Sequence, residues 1–168
     1  MPTLLTWPRD PEIIVIEDED AVATAIVRLL RLRGLHHVTI ETDPWRAINR
    51  YRPTEPDLIL LDLHMPGVDT FEAIRSLRLI AAPQPHLPVL AMSGDGTNAN
   101  RDRALTAGAT DFIAKPFTIT ELGDRIARLL DKRLEALTSC NLLLPARVRT
   151  LPPDEPAGPA YPPLRRLA

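Results

Sequence analysis

Polar side chains follow four short apolar runs of the chain, each directly after the run ends. The runs have the length expected for buried strands. The polar residues are Glu17 and Asp18 after the first run, Asp62 after the second, Ser93 after the third and Lys115 after the fourth. If the runs are neighbouring parallel strands, these side chains meet at one sheet edge. That crevice, outside the carboxyl ends of the strands, is where open α/β sheets bind ligands.

The three carboxylates predict a cation in this crevice. Carboxylates that crowd together repel one another and raise their own pKa values, so such a cluster persists when a cation occupies it. Mg²⁺ fits best, because it accepts hard oxygen ligands from one or two carboxylates, keeps several waters and bridges to a phosphate. Read alone, Glu17 and Asp18 are also typical of a helix amino terminus. Asp62 stands out by itself, because a carboxylate after four branched apolar residues must be paired, protonated or functional.

Segments with helix-like periodicity alternate with the strand-like runs along the chain. Capping signals at Asp43, Asp69 and Thr118 and stop signals at Gly34 and Gly108 mark helix ends. Together with a weaker strand, they give five strand–helix units with short loops. The pattern predicts an α/β fold with a parallel sheet covered by helices on both faces and right-handed crossovers. The predicted helices run over residues 21–33, 44–52, 71–79, 98–107 and 118–137, and the strands over 13–16, 38–41, 58–61, 89–92 and 111–114.

Length and composition fit one such domain with extensions. The 168 residues are 45% hydrophobic and carry a formal net charge of -2, which gives no general attraction to nucleic acid. We expect an N-terminal extension over residues 1–11, the folded domain over 12–137 and a disordered Pro-rich tail over 138–168, which holds 7 of the 18 prolines. The single cysteine, Cys140, excludes an intrachain disulfide, and no signal peptide or membrane span is evident. A cytoplasmic location is expected.

Four segments together resemble the receiver domain of bacterial two-component response regulators, of the stand-alone, chemotaxis-regulator-like kind. They cover residues 12–133 and read IIVIEDED, DLILLDLHMPGVDTFEAI, VLAMSGDG and AGATDFIAKPF. The resemblance implies a flavodoxin-like, doubly wound five-stranded parallel sheet in the order 2-1-3-4-5. It also implies transfer of a phosphoryl group from the phosphohistidine of a sensor kinase to an aspartate.

The resemblance implies a role for each residue of the crevice. Asp62 is the phosphoacceptor, Asp18 and Asp62 bind Mg²⁺ directly, Glu17 binds it through water, and the main-chain carbonyl of His64 completes the protein ligands. The resemblance further implies that Lys115 and Ser93 bind the phosphoryl oxygens, that Gly94 leaves room for the group, and that Phe112 is the switch aromatic. A cis bond before Pro116 aims Lys115 into the site. His64 and Asp95 tune the lifetime of the phosphoryl group.

The sequence departs from the family pattern at two positions and also contains one competing motif. Thr70 replaces the glycine that usually follows Asp69, a departure that concerns the backbone of that loop and not the chemistry. Phe112 lacks the hydroxyl that a tyrosine would offer a partner, and a core phenylalanine is a comparable reading for it. Residues 94–99 also fit the dinucleotide motif G-x-G-x-x-A. That motif follows the fourth predicted strand rather than the first, and no acid ends the next strand, so a flexible glycine loop is favoured.

The function expected is a single-domain response regulator that signals through a phosphorylation-dependent protein contact, not an enzyme beyond its own phosphotransfer and dephosphorylation. A phosphate sink or relay is the first alternative, and a scaffold that never accepts phosphate and binds through the last helix is the second. The expected partners are a sensor histidine kinase or phosphotransfer protein and an unknown downstream protein, without nucleic acid or membrane. Because apolar positions continue beyond Leu129, a homodimer through the last helix is also expected, with Leu130, Leu134 and Leu137 exposed on a monomer.

Overall fold

The computed structural model of the chain describes residues 9–54, 56–81 and 87–139, with the backbone alone for 50–54. Strands and helices alternate throughout. Their bounds are β1 (Ile13–Ile16), α1 (Asp20–Leu32), β2 (Val38–Glu41), α2 (Pro44–Thr54), β3 (Leu58–Asp62), α3 (Thr70–Ala81), β4 (Val89–Ser93), α4 (Asn98–Ala107), β5 (Asp111–Ala114) and α5 (Ile119–Ser139). The five strands form one parallel sheet in the order β2-β1-β3-β4-β5. The predicted fold class and strand order are confirmed.

Helices cover both faces of the sheet, which explains why β1 is apolar throughout and why β3 and β4 are apolar up to their last residues, Asp62 and Ser93. Side chains alternate between the two faces along a strand, so β1, β3, β4 and β5 each contribute to two cores. Ile13 and Val15 of β1 pack with residues of α1 and α5, whereas Ile14 and Ile16 pack with residues of α2, α3 and α4. The central strands β3 and β4 are buried along their whole length. The polar residues at the carboxyl ends of these buried strands therefore lie at one edge of the sheet.

The helix ends lie close to the predicted positions. Asp43 and Asp69 accept backbone N–H bonds of 2.9 and 3.0 Å at the starts of α2 and α3, and Thr118 Oγ1 accepts the Glu121 N–H at 3.1 Å before α5. Gly108 ends α4 in the left-handed region, at φ 115°. Helices α2, α3 and α5 each extend two residues beyond the predicted end. The remaining residues of the predicted extension and tail, 1–8 and 140–168, lie outside the described residues.

The last helix differs from expectation in how its apolar stripe is buried. Leu130 is 1% exposed and packs in the same core as Ile126, because it lies one helical turn further along the same face. Leu134 and Leu137 are partly buried. The prediction that all three leucines are exposed on a monomer is wrong. The homodimer itself stays a prediction, now resting on Leu134 and Leu137 alone.

A buried acid, Asp57, ties the start of β3 to the start of β1. Its carboxylate accepts the Glu12 N–H at 2.9 Å and lies 2.8 Å from the guanidinium of Arg9, while its side chain is 1% exposed. Burial raises the pKa of Asp57 above its ordinary value of 3.8, and the Glu12 hydrogen bond and the charges of Arg9 and Arg133 oppose that rise without cancelling it.

We expect this acid to make the stability of the fold depend on pH. The native state holds the Asp57 proton more tightly than the unfolded chain, so this contribution to stability falls as the pH rises from 3.8 through the raised pKa. Asp57→Asn keeps an oxygen acceptor for Glu12 and lacks the ionisation. The Tm of the variant minus that of the parent, measured by thermal denaturation, should therefore increase with pH over this window. A difference that decreases with pH would contradict the assignment.

Candidate functional site

The register of the sheet brings the predicted polar residues level with one another. Ile16 of β1 pairs with Leu61 of β3, so the residues that follow them, Glu17 and Asp62, lie side by side. Asp62 pairs in turn with Met92 of β4, and Ser93 pairs with Ala114 of β5. Lys115 follows Ala114 directly. The structure thus collects all five residues at the carboxyl edge. Four of them line a cleft of about 470 Å³, whose lining residues are Glu17, Asp18, Glu19, Asp62, His64, Pro66, Gly94 and Lys115.

Three carboxylates form the acidic side of the cleft. One oxygen from each of Glu17, Asp18 and Asp62 lies within 4.8 Å of the other two. Glu17 and Asp62 are buried, at 1% and 3% exposure, and Asp18 is exposed toward the opening. Burial raises the pKa of Glu17 above its ordinary value; the negative charge of Asp62 adds to the rise, and the hydrogen bond from Lys115 opposes it. The cluster is therefore incompletely neutralised by the protein.

Lys115 is the cation that the chain itself supplies. Its Nζ donates a hydrogen bond of 2.8 Å to Glu17 Oε2 and lies 3.2 Å from Asp62 Oδ1. Burial alone would lower the pKa of Lys115, but the bond to Glu17 and the negative charges of Asp62 and Glu17 outweigh it, so the pKa is raised. The peptide bond between Lys115 and Pro116 is cis. The ammonium is thus fixed in its charged form beside the Asp62 carboxylate.

The residues present fit a divalent metal ion. One ammonium faces three carboxylates, and Asp18 and Asp62 offer hard oxygen atoms at the same opening. Oδ1 of Asp62 is buried, and among the described residues Lys115, with Nζ 3.2 Å away, is the one that supplies positive charge to it. Buried carboxylates are costly unless positive charge balances them, and one ammonium does not balance three acids. Mg²⁺ takes such oxygen atoms while keeping several of its waters.

Ser93 lies opposite the acidic group and is completely buried. Its Oγ accepts hydrogen bonds from the backbone N–H of Asp95 at 3.0 Å and from Nδ2 of Asn100 at 2.8 Å. Oγ also lies 3.2 Å from Nδ1 of His64. The hydroxyl is therefore held by the β4–α4 loop, by α4 and by the β3–α3 loop at once.

The two glycines of the loop after β4 have different surroundings. A Cβ added to Gly94 would meet no atom within 4 Å, so the space beside Ser93 is open. A Cβ on Gly96 would lie 2.9 Å from the Cβ of Ala114, so this glycine allows the loop to pack against β5. The second glycine of the motif thus serves packing within the protein.

His64 and Asp95 lie near the cleft, and their side chains bond to other residues rather than to each other. Asp95 Oδ1 accepts the Thr97 N–H at 3.0 Å, and this bond is the main reason that the pKa of Asp95 is lowered. Phe112 is 6% exposed and packs in the core that contains Ala104 and Ala107 of α4. The aromatic ring of Phe112 is therefore already turned inward.

Sequence reasoning missed two residues that support the site. Thr70 is 2% exposed, and its hydroxyl donates a 3.1 Å hydrogen bond to the carbonyl of Leu63, next to Asp62. The residue that departs from the family pattern therefore anchors the β3–α3 loop. Asn100 lies in α4, whose buried residues are only Ala104 and Ala107. A polar helix gives no periodic signal, so nothing in the sequence marked its contact with Ser93.

Comparison with known proteins decides the family. The sequence model of the response regulator receiver domain matches residues 13–127, more than half of the chain. The chain belongs to the response regulator receiver domain family. Receivers are signalling domains of two-component systems, and the resemblance inferred from the four segments is confirmed.

Similar proteins place the receiver among bacterial regulators. It is 34% identical over 134 residues to the transcriptional regulatory protein PrrA of Mycobacterium leprae (strain TN), covering 80% of this chain and 56% of that protein. It is 35% identical over 127 residues to the KDP operon transcriptional regulatory protein KdpE of Escherichia coli (strain K12), covering 76% and 54%. The chain thus spans about half the length of these relatives. Because both are named transcriptional regulators, the comparisons lend no support to the expectation that nucleic acid is not a partner.

Solved structures have the same fold as the receiver. The receiver domain of the Francisella response regulator 1452 superposes with a TM-score of 0.64 at 26% identity, covering 73% of this chain and 98% of that one. The receiver domain of the sensor histidine kinase PA1611 from Pseudomonas aeruginosa PAO1 gives a TM-score of 0.65 at 29% identity, covering 73% and 99%. That protein was solved with a magnesium ion coordinated in its active site cleft. In the part of this chain that the structure describes, no helix is long and apolar enough to cross a membrane.

Proposed function

We propose that this chain accepts a phosphoryl group on Asp62 from a sensor histidine kinase or a phosphotransfer protein, and signals through a protein contact that depends on phosphorylation. The observation that carries the proposal is the setting of Asp62: a buried carboxylate whose Oδ1 forms an ion pair with Lys115 at 3.2 Å and which is grouped with Glu17 and Asp18. Family membership supports a phosphorylated signalling domain.

The reaction transfers one phosphoryl group from a donor imidazole to the carboxylate of Asp62. A carboxylate oxygen of Asp62 attacks phosphorus, a P–O bond forms, and the P–N bond to the donor imidazole breaks in line with it. Catalysis of such a step consists mainly of positioning and charge neutralisation. Lys115 is placed to neutralise one phosphoryl oxygen, and the Ser93 hydroxyl to donate a hydrogen bond to another. The open space at Gly94 leaves room for the group.

For the metal we propose Mg²⁺, with Asp18 and Asp62 as direct ligands, Glu17 as a ligand through water, and the His64 carbonyl completing the protein ligands. When bound, Mg²⁺ supplies positive charge to the phosphoryl oxygens. In its absence Lys115 alone offsets the acids. The magnesium site of the related PA1611 receiver supports this choice.

Dephosphorylation removes the phosphoryl group by attack of water on the acyl phosphate. We propose that His64 and Asp95 tune the rate of this reaction. His64 lies beside Ser93, and Asp95 lies at the start of the adjoining loop. His64→Ala and Asp95→Ala should each change the decay rate of the phosphorylated chain several-fold while leaving phosphorylation intact. Decay is followed as loss of phosphoryl mass after the donor is removed. Decay at the parental rate in both variants would leave these residues without this role.

We propose a receiver over residues 12–137, with output through a downstream protein. A phosphate sink or relay uses the same chemistry without an output contact, and a scaffold makes contacts without the chemistry. Incubation with acetyl phosphate and Mg²⁺, followed by affinity capture with phosphorylated and unphosphorylated chain, separates them. The proposed function predicts one phosphoryl group and a partner retained only by the phosphorylated form. A chain that takes up no phosphoryl group contradicts it.

We further propose a homodimer through the end of α5. Leu134 and Leu137 are partly exposed there, and burying apolar side chains stabilises association by about 25 cal/mol per Å². Light scattering at tens of micromolar should give the dimer mass for the parent and the monomer mass for Leu134→Glu/Leu137→Glu. A monomeric parent contradicts the proposal.

A further inference from the structure

The hydroxyl of Ser93 uses all of its hydrogen-bonding capacity in the unphosphorylated chain. A serine hydroxyl has one hydrogen to donate and two lone pairs to accept with. The N–H groups of Asp95 and Asn100 are both donors and occupy the two lone pairs, at 3.0 and 2.8 Å. The one hydrogen is then directed to Nδ1 of His64, at 3.2 Å. Because Ser93 is completely buried, bulk water cannot take over any of these contacts.

Asn100 links the Ser93 hydroxyl to helix α4. Its Nδ2 group donates to the carbonyl of Asp95 at 3.0 Å as well as to Ser93 Oγ, so one amide bridges the loop and the serine. Its backbone N–H donates to Oγ1 of Thr97, the N-cap of the helix. The position of the Ser93 hydroxyl is therefore coupled to the first turn of α4.

We propose that Asn100 is a positioning residue that holds the Ser93 hydroxyl in its unphosphorylated place, with His64 as the acceptor of its hydrogen. This inference rests on the proposed phosphorylation of Asp62. To bond a phosphoryl oxygen, Ser93 must turn its only hydrogen away from Nδ1 of His64, and must leave the amide of Asn100 as it moves. Switching thus exchanges the bond to His64 for a bond to the phosphoryl group, and it releases the first turn of α4 from the loop.

Two substitutions at Asn100 should act in opposite directions. Asn100→Ala removes the donor, so the hydroxyl leaves its place more easily. Asn100→Asp keeps the size of the side chain but presents a carboxylate, which accepts the Ser93 hydrogen in a strong charge-assisted bond and competes with the phosphoryl oxygen. General damage to the loop would move both variants in the same direction. Asn98→Asp is the matched control, because it adds the same charge to the same helical turn on an exposed residue.

The test is a titration with beryllofluoride, a phosphoryl mimic, in the presence of Mg²⁺, followed by the amide resonance of Gly94. We expect Asn100→Ala to bind it about five-fold more tightly than the parent, the factor that one neutral hydrogen bond contributes to an equilibrium. Asn100→Asp should bind it several-fold more weakly than Asn98→Asp. If both Asn100 variants shift together, or neither differs from its reference, the inference is overturned while the proposed function stands. A parent that neither binds beryllofluoride nor takes up phosphate overturns the proposed function itself.

A measurement on the parent alone keeps the inference testable if an Asn100 variant fails to fold. With Nδ1 of neutral His64 accepting the Ser93 hydrogen, the ring proton is on Nε2. Imidazole ¹⁵N shifts should report this tautomer in the unphosphorylated chain and a loss of its hydrogen bond at Nδ1 with beryllofluoride. A proton on Nδ1 of the unphosphorylated, neutral ring, or shifts that beryllofluoride leaves unchanged, would overturn the inference.

Discussion

Asp62→Asn should take up no phosphoryl group from acetyl phosphate and Mg²⁺, whereas the parent takes up one. The amide of asparagine is a poor nucleophile, and it lacks the negative oxygen that attacks phosphorus in line. Because the substitution is nearly isosteric, the strand β3 and its neighbours should keep their packing. Intact mass measured before and after incubation gives the number of groups transferred.

The chain offers a matched control for this variant. Asp57 is also buried and directly precedes β3, at the end of the strand opposite to Asp62. Asp57→Asn should keep full uptake, provided that the measurement is made well below its Tm. Uptake by Asp62→Asn equal to that of the parent would remove Asp62 from the mechanism.

Mg²⁺ should stabilise the parent, and Asp18→Asn should remove that effect. A ligand that binds the native state alone stabilises it by about 1.4 kcal/mol at ten times its Kd, which corresponds to an increase in Tm of about 4 °C for a domain of this size. Asp18 provides one of the three clustered carboxylates. Without Mg²⁺ the variant should be no less stable than the parent, because it relieves repulsion among the acids.

Asp20→Asn is the control for the metal variant. Asp20 is exposed in the first turn of α1 and is not a member of the acidic group, so its loss lowers the charge nearby without removing a ligand. This variant should keep the full Mg²⁺ effect in thermal denaturation with and without millimolar MgCl₂. An equal shift in Asp18→Asn and the parent would move the metal to other residues.

The site was predictable because its residues lie at strand ends. Register in a parallel sheet aligns whatever follows each apolar run, so Asp62, Ser93 and Lys115 could be brought together from the sequence before the structure was known. The strand order came from the resemblance, since apolar runs alone do not say which strands are neighbours.

The features that the sequence could not predict are contacts between elements, because such contacts leave no periodic pattern in the sequence. Asn100 lies in a polar helix, and its amide contacts Ser93 because the β4–α4 loop brings the two side chains together. Thr70 looked like a departure from a glycine, yet its hydroxyl anchors the loop that follows Asp62. Leu130 was assigned to an exposed stripe, yet it packs in the core with Ile126, because the apolar pattern alone does not say how far along α5 the core extends.

The position of the phosphoryl group tests the central claim most directly. Borohydride reduces an acyl phosphate to an alcohol, so phosphorylated Asp62 becomes homoserine, which peptide mass spectrometry locates. We predict that reduction of the chain after acetyl phosphate and Mg²⁺ yields homoserine at Asp62 alone. Homoserine at another acid, or an unmodified Asp62 in a chain that carries phosphate, would contradict this account.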